Sequence, residues 1–261
     1  GMRFNDRRPT KAYATALKTI AMMRHLSTLL AEAEKVRSGV AILSSDYANA
    51  LSDALDNRGC GDVSACHERS ITAMTHVYAA LAKEGLVPDF MRVKELREGR
   101  LPVKVLIVPS PELLSPEEKE FVSTFNKPAY SYDDLRSCFS LYEKEKSVHL
   151  HGIVYDEYDA QNLIGIHHLP VPAVIKGFPS VDARMLRGKE YALVCLTNHD
   201  AEERMVSDSV LHLETPWKKA TFFKAETEEL GSPLSVTGQD VTLPPFLAGG
   251  IVLLEGDNDS R

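Results

Sequence analysis

The sequence lacks most of the short signatures by which an enzyme announces itself. No G-x-G-x-x-G and no G-x-x-x-x-G-K-[ST] occurs, so neither a dinucleotide fingerprint nor a phosphate loop is present. A nucleophile elbow of the form G-x-S-x-G is missing as well. The four cysteines, Cys60, Cys66, Cys138 and Cys195, form no C-x-x-C pair. That spacing argues against a disulfide scaffold and fits a reduced, cytoplasmic setting. No apolar run approaches the ~20 residues that span a bilayer, and no charged-then-apolar leader opens the chain. An excess of positive charge is absent too: 30 basic residues stand against 37 acidic ones, for a net charge of −7. Neither nucleic acid nor an anionic membrane surface is expected as a partner.

What is present is a clear change of pattern along 261 residues. Tyr13, Ala16, Leu17, Ile20, Met23, Leu26 and Leu30 recur at helical spacing, which predicts an amphipathic helix over residues 11 to about 33. Its apolar stripe needs a surface, and the α/β part of the chain or a neighbouring chain is the expected one. VAILSS (40 to 45) and VKVLIVP (103 to 109) are almost wholly apolar, as strands covered on both faces are. Residues 46 to 67 read as a long loop, with room for a short helix. Ile71, Met74, Tyr78 and Leu81 then mark a helix that Gly85 stops, and LVPDF follows as a brief strand. The pattern is that of a parallel α/β sheet.

After the second apolar strand, Ser115-Pro116-Glu117-Glu118 places a hydroxyl at the N-cap, proline at the first helical position and glutamate at N3. That is a capping box. Its carboxylates repel phosphate from a helix start that would otherwise attract it. From 126 to 185 periodicity weakens, and edge strands and loops are expected around HGIVY and VPAVI. Beyond RGKE, the segments YALVCLTN, VLHLE, ATFFK, PLSV, QDVTL and GGIVLLE alternate with turn residues, as in an antiparallel β-sandwich.

Several residues invite chemistry, and each has a simpler reading. Cys66-His67 are adjacent and so point in different directions. His149 and His151 share a strand face with His167-His168 nearby, but the spacing matches no standard metal site. Asp133-Asp134, Glu202-Glu203 and Glu228-Glu229 are sequence neighbours in polar stretches, whereas a glycosidase needs two carboxyls ~5–10 Å apart across a sugar ring. Trp217, Phe222 and Phe223 offer rings for sugar stacking, yet a small sandwich needs large inward residues. No catalytic, cofactor-binding or metal-binding residue is assigned, and no cofactor is expected.

VAILSSDY, the helix ending ALAKEGLVPDF, and LPVKVLIVPSPELLSPEEKEFV together resemble the β-galactosidase trimerisation domain of family-forty-two-type glycoside hydrolases. RFNDRRPTKAYATALKTIAMMRHL resembles the helix that ends the (β/α)8 barrel of those enzymes. YALVCLTNHDAEE through VTLPPFLAGGIVLLE resembles their C-terminal β-sandwich. The resemblance implies three parts: a barrel-terminal helix at 1–37, a class I glutamine-amidotransferase-like (flavodoxin-like) α/β domain at 38–180, and a small β-sandwich at 181–261. STFNKPAYSYDDLRSCF departs from the pattern, standing where the family has a glycine-rich turn and a further buried strand. The barrel carries the acid/base and nucleophile glutamates, so no catalytic residue is carried over. The implied role is non-catalytic assembly, with self-association as a trimer, a glycosidase barrel as partner and a carbohydrate as the parent enzyme's substrate. Alternatives are an amidotransferase-like or metal-dependent hydrolase and a carbohydrate-binding module.

Overall fold

The computed structural model describes residues 11–56, 73–131, 148–150, 153–155, 161–178, 180–199, 204–227 and 231–257. The chain divides into two compact units. One takes residues through Val36, His149–Ile153 and everything from Val171 onward; the other takes Arg37–Val148 and Val154–Pro170. The architecture is α/β plus all-β.

In chain order the elements begin with α1 (Lys11–His25), α2 (Ser27–Glu32) and β1 (Glu34–Lys35). The α/β unit then supplies β2 (Val40–Leu43), α3 (Asp46–Asp56), α4 (Ala73–Lys83), β3 (Asp89–Met91), α5 (Val93–Glu98), β4 (Val105–Val108), α6 (Pro116–Thr124) and β5 (Ala129–Ser131). Val148–Leu150 (β6) and Ile153–Tyr155 (β7) form a two-stranded sheet, and α7 (Gln161–His167) follows. The remaining strands are β8 (Ala173–Lys176), β9 (Val181–Arg187), β10 (Tyr191–Asn198), β11 (Val210–Leu213), β12 (Trp217–Lys224), β13 (Ser232–Leu234), β14 (Val236–Thr237), β15 (Asp240–Thr242) and β16 (Gly249–Asp257).

In the α/β unit the strands are parallel and ordered β3-β2-β4-β5. Every residue of β2 and β4 is buried, as their unbroken apolar runs require. Ala41, Leu43, Leu106 and Val108 pack with Val93, Leu96 and Leu114 on one face. The alternate residues Val40, Ile42, Val105 and Ile107 are equally buried, so both faces are covered. Gly85 ends α4 in a left-handed conformation with φ +77. Its N–H reaches Ala82 O at 2.9 Å, and the Leu86 N–H reaches Leu81 O at 2.9 Å. These two bonds make a Schellman motif, with Leu86 and Leu81 both buried.

Three details differ from the sequence reading. Asp46–Asp56 is an eleven-residue helix where a long loop, or a loop with a short helix, was expected. Ser45 caps it, accepting the Ala48 N–H at 2.9 Å. AYS within STFNKPAYSYDDLRSCF forms β5, a fourth parallel strand at the sheet edge; with three residues, Ala129 exposed and Tyr130 and Ser131 half-buried, it carries no apolar signature. VDARMLR (Val181–Arg187) forms the strand β9, with Val181, Asp182, Ala183 and Met185 buried and Arg184 and Arg187 exposed.

The β-rich unit is a sandwich of a six-stranded sheet (β1-β9-β10-β16-β12-β13) and a four-stranded one (β14-β15-β11-β8). Ile175, Leu211, Leu213 and Val241 from the small sheet meet Met185, Val194, Phe222 and Val252 from the large one. The strand Ala173–Lys176 thus belongs to the sandwich. The N-terminal helix lies here too, and not on the α/β part expected to bury it. Leu26 packs with Leu193, Phe223 and Ile251 on the outer face of the large sheet, with Met22, Leu29 and Leu30 beside it. Tyr191 Oη donates to Leu29 O at 2.6 Å, and Lys18 Nζ to Glu226 O at 3.2 Å. The reason is visible in YALVCLTN and GGIVLLE: neither alternates, so both faces of those strands need cover. No helix among the described residues is long and apolar enough to cross a membrane.

Candidate functional site

In the α/β unit the chain steps out from β2 to β3 and then crosses back over β2 to β4. In open parallel sheets that reversal opens a crevice beyond the carboxyl ends of the strands. Such a crevice is present, with a volume of about 460 Å³. Ser44, Asp46 and Tyr47 enter it after β2, Arg92 and Arg97 after β3, and Ser115, Glu117 and Glu118 after β4.

The helix starts around the crevice are tied together by their own side chains. Ser115 Oγ accepts the Glu118 N–H at 3.2 Å, and Glu118 Oε2 accepts the Ser115 N–H at 2.9 Å, which completes the capping box read from the sequence. The same Glu118 oxygen accepts from Ser45 Oγ at 3.0 Å. Arg97 Nη1 donates to Glu117 Oε1 at 2.7 Å, and Arg92 pairs with Asp46 at 3.4 Å. The Arg97 guanidinium also lies 5.6 Å from the centre of the Phe121 ring. Among the described residues, no histidine or cysteine lines the crevice. Of the serines at these helix starts, Ser115 lines the crevice and Ser45 lies behind it; both hydroxyls accept a helix N–H as caps. The arrangement is suited to holding polar groups in place.

At 99% of this chain and 46% of its own length, the structure of a catalytic mutant of Gan42B, a GH42 β-galactosidase from G. stearothermophilus, superposes with a TM-score of 0.58 and 15% identity. A β-galactosidase from Bacillus circulans sp. alkalophilus covers 89% of this chain and 43% of its own, with a TM-score of 0.53 and 12% identity. This chain shares the fold of part of a GH42 β-galactosidase. At such identities the likeness is one of fold, and this chain spans less than half the length of either structure. No protein-family profile matches the sequence. No curated protein matches it either.

The residues singled out in the sequence fall in several places. His167 is held by Tyr130, whose hydroxyl lies 2.8 Å from Nε2, while the His168 carbonyl accepts from Lys104 Nζ at 3.1 Å. No group of three or more His, Cys, Asp or Glu able to hold a metal occurs among the described residues. Trp217 and Phe222 lie in the core between the sheets, and Phe223 lies beneath the N-terminal helix. None of the three offers an open ring to a sugar. Cys60, Cys66-His67, Asp133-Asp134, Cys138, His151, Glu202-Glu203 and Glu228-Glu229 lie outside the described residues, as does the side chain of His149.

Asp46, Tyr47, Arg92 and Arg97 were not found by sequence reasoning. A signal existed for the first two: Ser45-Asp46 directly after a buried strand is an N-cap followed by an acid in the first turn. Arg92 caps and Arg97 lies within a six-residue helix too short for a periodic signature.

Proposed function

We propose that this chain is the non-catalytic, accessory region of a β-galactosidase-like glycoside hydrolase, and that its work is subunit assembly. The α/β unit is read as class I glutamine-amidotransferase-like, and the oligomer as a trimer. The observation that carries this reading is the correspondence of fold over 99% of this chain with only 46% of Gan42B. An α/β unit and a sandwich are accounted for together, in one order, by the same part of one enzyme. The crevice is compatible with it: Arg97–Glu117 and Arg92–Asp46 pair at its rim, and Ser115 serves as a helix cap.

Sedimentation equilibrium on the purified chain is the test, with galactoside hydrolysis measured on the same sample. The expected result is an inert protein at three times 28.9 kDa. A monomer at micromolar concentration would sink the assembly role, and turnover of an aryl galactoside would sink the non-catalytic one.

A further inference from the structure

We propose that the crevice beyond β2, β3 and β4 binds a neutral saccharide, with Tyr47 as the ring that stacks on it. The choice of ligand class rests in part on the glycoside-hydrolase reading above, and the rest comes from the crevice itself.

Its volume of about 460 Å³ is that of a small-molecule site, and it lies where parallel sheets keep their ligands. Charge narrows the ligand. Arg92, Lys94 and Arg97 face Asp46, Glu98, Glu117 and Glu118, three positive groups against four negative ones. A phosphate would meet the carboxylates placed at both helix starts, and a cation would meet the three basic groups. A neutral ligand meets neither penalty.

Most of the charged lining groups, Arg92, Arg97, Asp46, Glu98, Glu117 and Glu118, are planar hydrogen-bonding forks. A guanidinium has five N–H donors, and Arg97 directs one of them to Glu117 at 2.7 Å while lying 5.6 Å from the centre of the Phe121 ring. Hydroxyl groups both donate and accept. A pair of vicinal hydroxyls therefore bridges a guanidinium and a carboxylate without leaving either unpaired. The remaining requirement is an apolar surface for the C–H face of a pyranose. Tyr47 supplies it: the ring is 50% exposed, stands in the first turn of α3 and is positioned by the Ser45 cap. An aromatic ring with an apolar body and a polar tip is suited to a ligand that is itself amphipathic.

Saturation-transfer NMR on the intact chain, with galactobiose and galactotetraose as probes, tests the proposal. Saturation of the sugar C–H protons is expected, stronger for the tetraose. Tyr47→Ala should weaken binding by about tenfold or more, whereas Tyr47→Phe, which keeps the ring, should stay within about threefold of the parent. Inorganic phosphate at equal concentration should leave the signal unchanged. The proposal is overturned by no transfer at tens of millimolar sugar, by equal transfer to a folded Tyr47→Ala protein, or by phosphate displacing the sugar. Sedimentation separates the two readings: a monomer that binds sugar at Tyr47 defeats assembly alone, and a trimer without transfer defeats the saccharide site alone.

Discussion

Ser45 and Glu118 stand 73 residues apart in sequence, and the hydroxyl of one donates to the carboxylate of the other at 3.0 Å. Each belongs to the start of a different helix, so one carboxylate serves two caps. Glu118→Ala removes a capping-box partner and leaves the Ser45 hydroxyl and the Ser115 N–H without it. The expected loss is about 2 kcal/mol in urea unfolding. Glu118→Gln keeps an acceptor and should lose about half as much. Glu117→Ala breaks a pair whose side chains are 51% and 71% exposed, and its effect should stay below about 1 kcal/mol. A larger effect at Glu117 than at Glu118 would show that the crevice rim, and not the shared cap, holds this corner.

Gly85 gives a second, independent check on the α/β unit. Its φ of +77 is strained for a residue with a Cβ, and its N–H closes α4 onto Ala82. Gly85→Ala should therefore destabilise by about 1 kcal/mol, although alanine is the better residue in a helix interior. Equal or greater stability in chemical denaturation would mean that α4 ends without the left-handed turn.

How much of this was legible depends on what each segment buries. VAIL and VLIV lie in the middle of a covered sheet and carry an unbroken apolar run, so they were read correctly. The capping box is local chemistry and was read residue by residue. AYS is an edge strand of three residues, too short to leave a trace in hydrophobicity. The segment 11 to 33 was legible as helical, but not its break into α1 and α2 at Leu26 nor its partner. Its residues Leu17, Ile20 and Met23 are about half exposed, while Met22, Leu26 and Leu29 face the sandwich. Apolar residues occur on more than one side of this helix, so spacing alone does not choose the buried side. The choice is made by the outer face of YALVCLTN and GGIVLLE. The crevice, too, depends on strand order, which no short window of sequence contains.

The cover provided by that helix is measurable through Leu26 and Cys195. Leu26 is 2% exposed in a cluster with Leu193, Phe223 and Ile251, so Leu26→Ala should cost about 2–4 kcal/mol. Cys195 lies at the edge of the same cluster. Burial pushes its thiol above the ordinary range, against an opposing pull from Arg184. Little thiolate then forms near pH 8, and alkylation at Cys195, followed by peptide mass spectrometry, should be slow. Leu26→Ala should accelerate it. Rapid labelling of the parent protein would mean that the helix does not stay on the sheet.

On the small sheet, His212 and Asp240 face each other across paired strands, with Nδ1 2.7 Å from Oδ1. The hydrogen bond from His212 holds the Asp240 carboxyl below its ordinary value of 3.8; partial desolvation opposes this, and the charges of Lys176 and His212 add to it. A depressed carboxyl stabilises the fold above its unfolded-state value and loses that contribution as pH falls through the folded one. Carbon-detected NMR of the Asp240 carboxyl should give a midpoint under 3.8. In His212→Ala the hydrogen bond and one charge are gone while Lys176 remains, so the midpoint should rise most of the way back. High salt screens the charges but leaves the hydrogen bond, and should move the parent midpoint upward by less than the substitution does. A midpoint that salt shifts as far as His212→Ala does would make the pair a charge contact without a hydrogen bond.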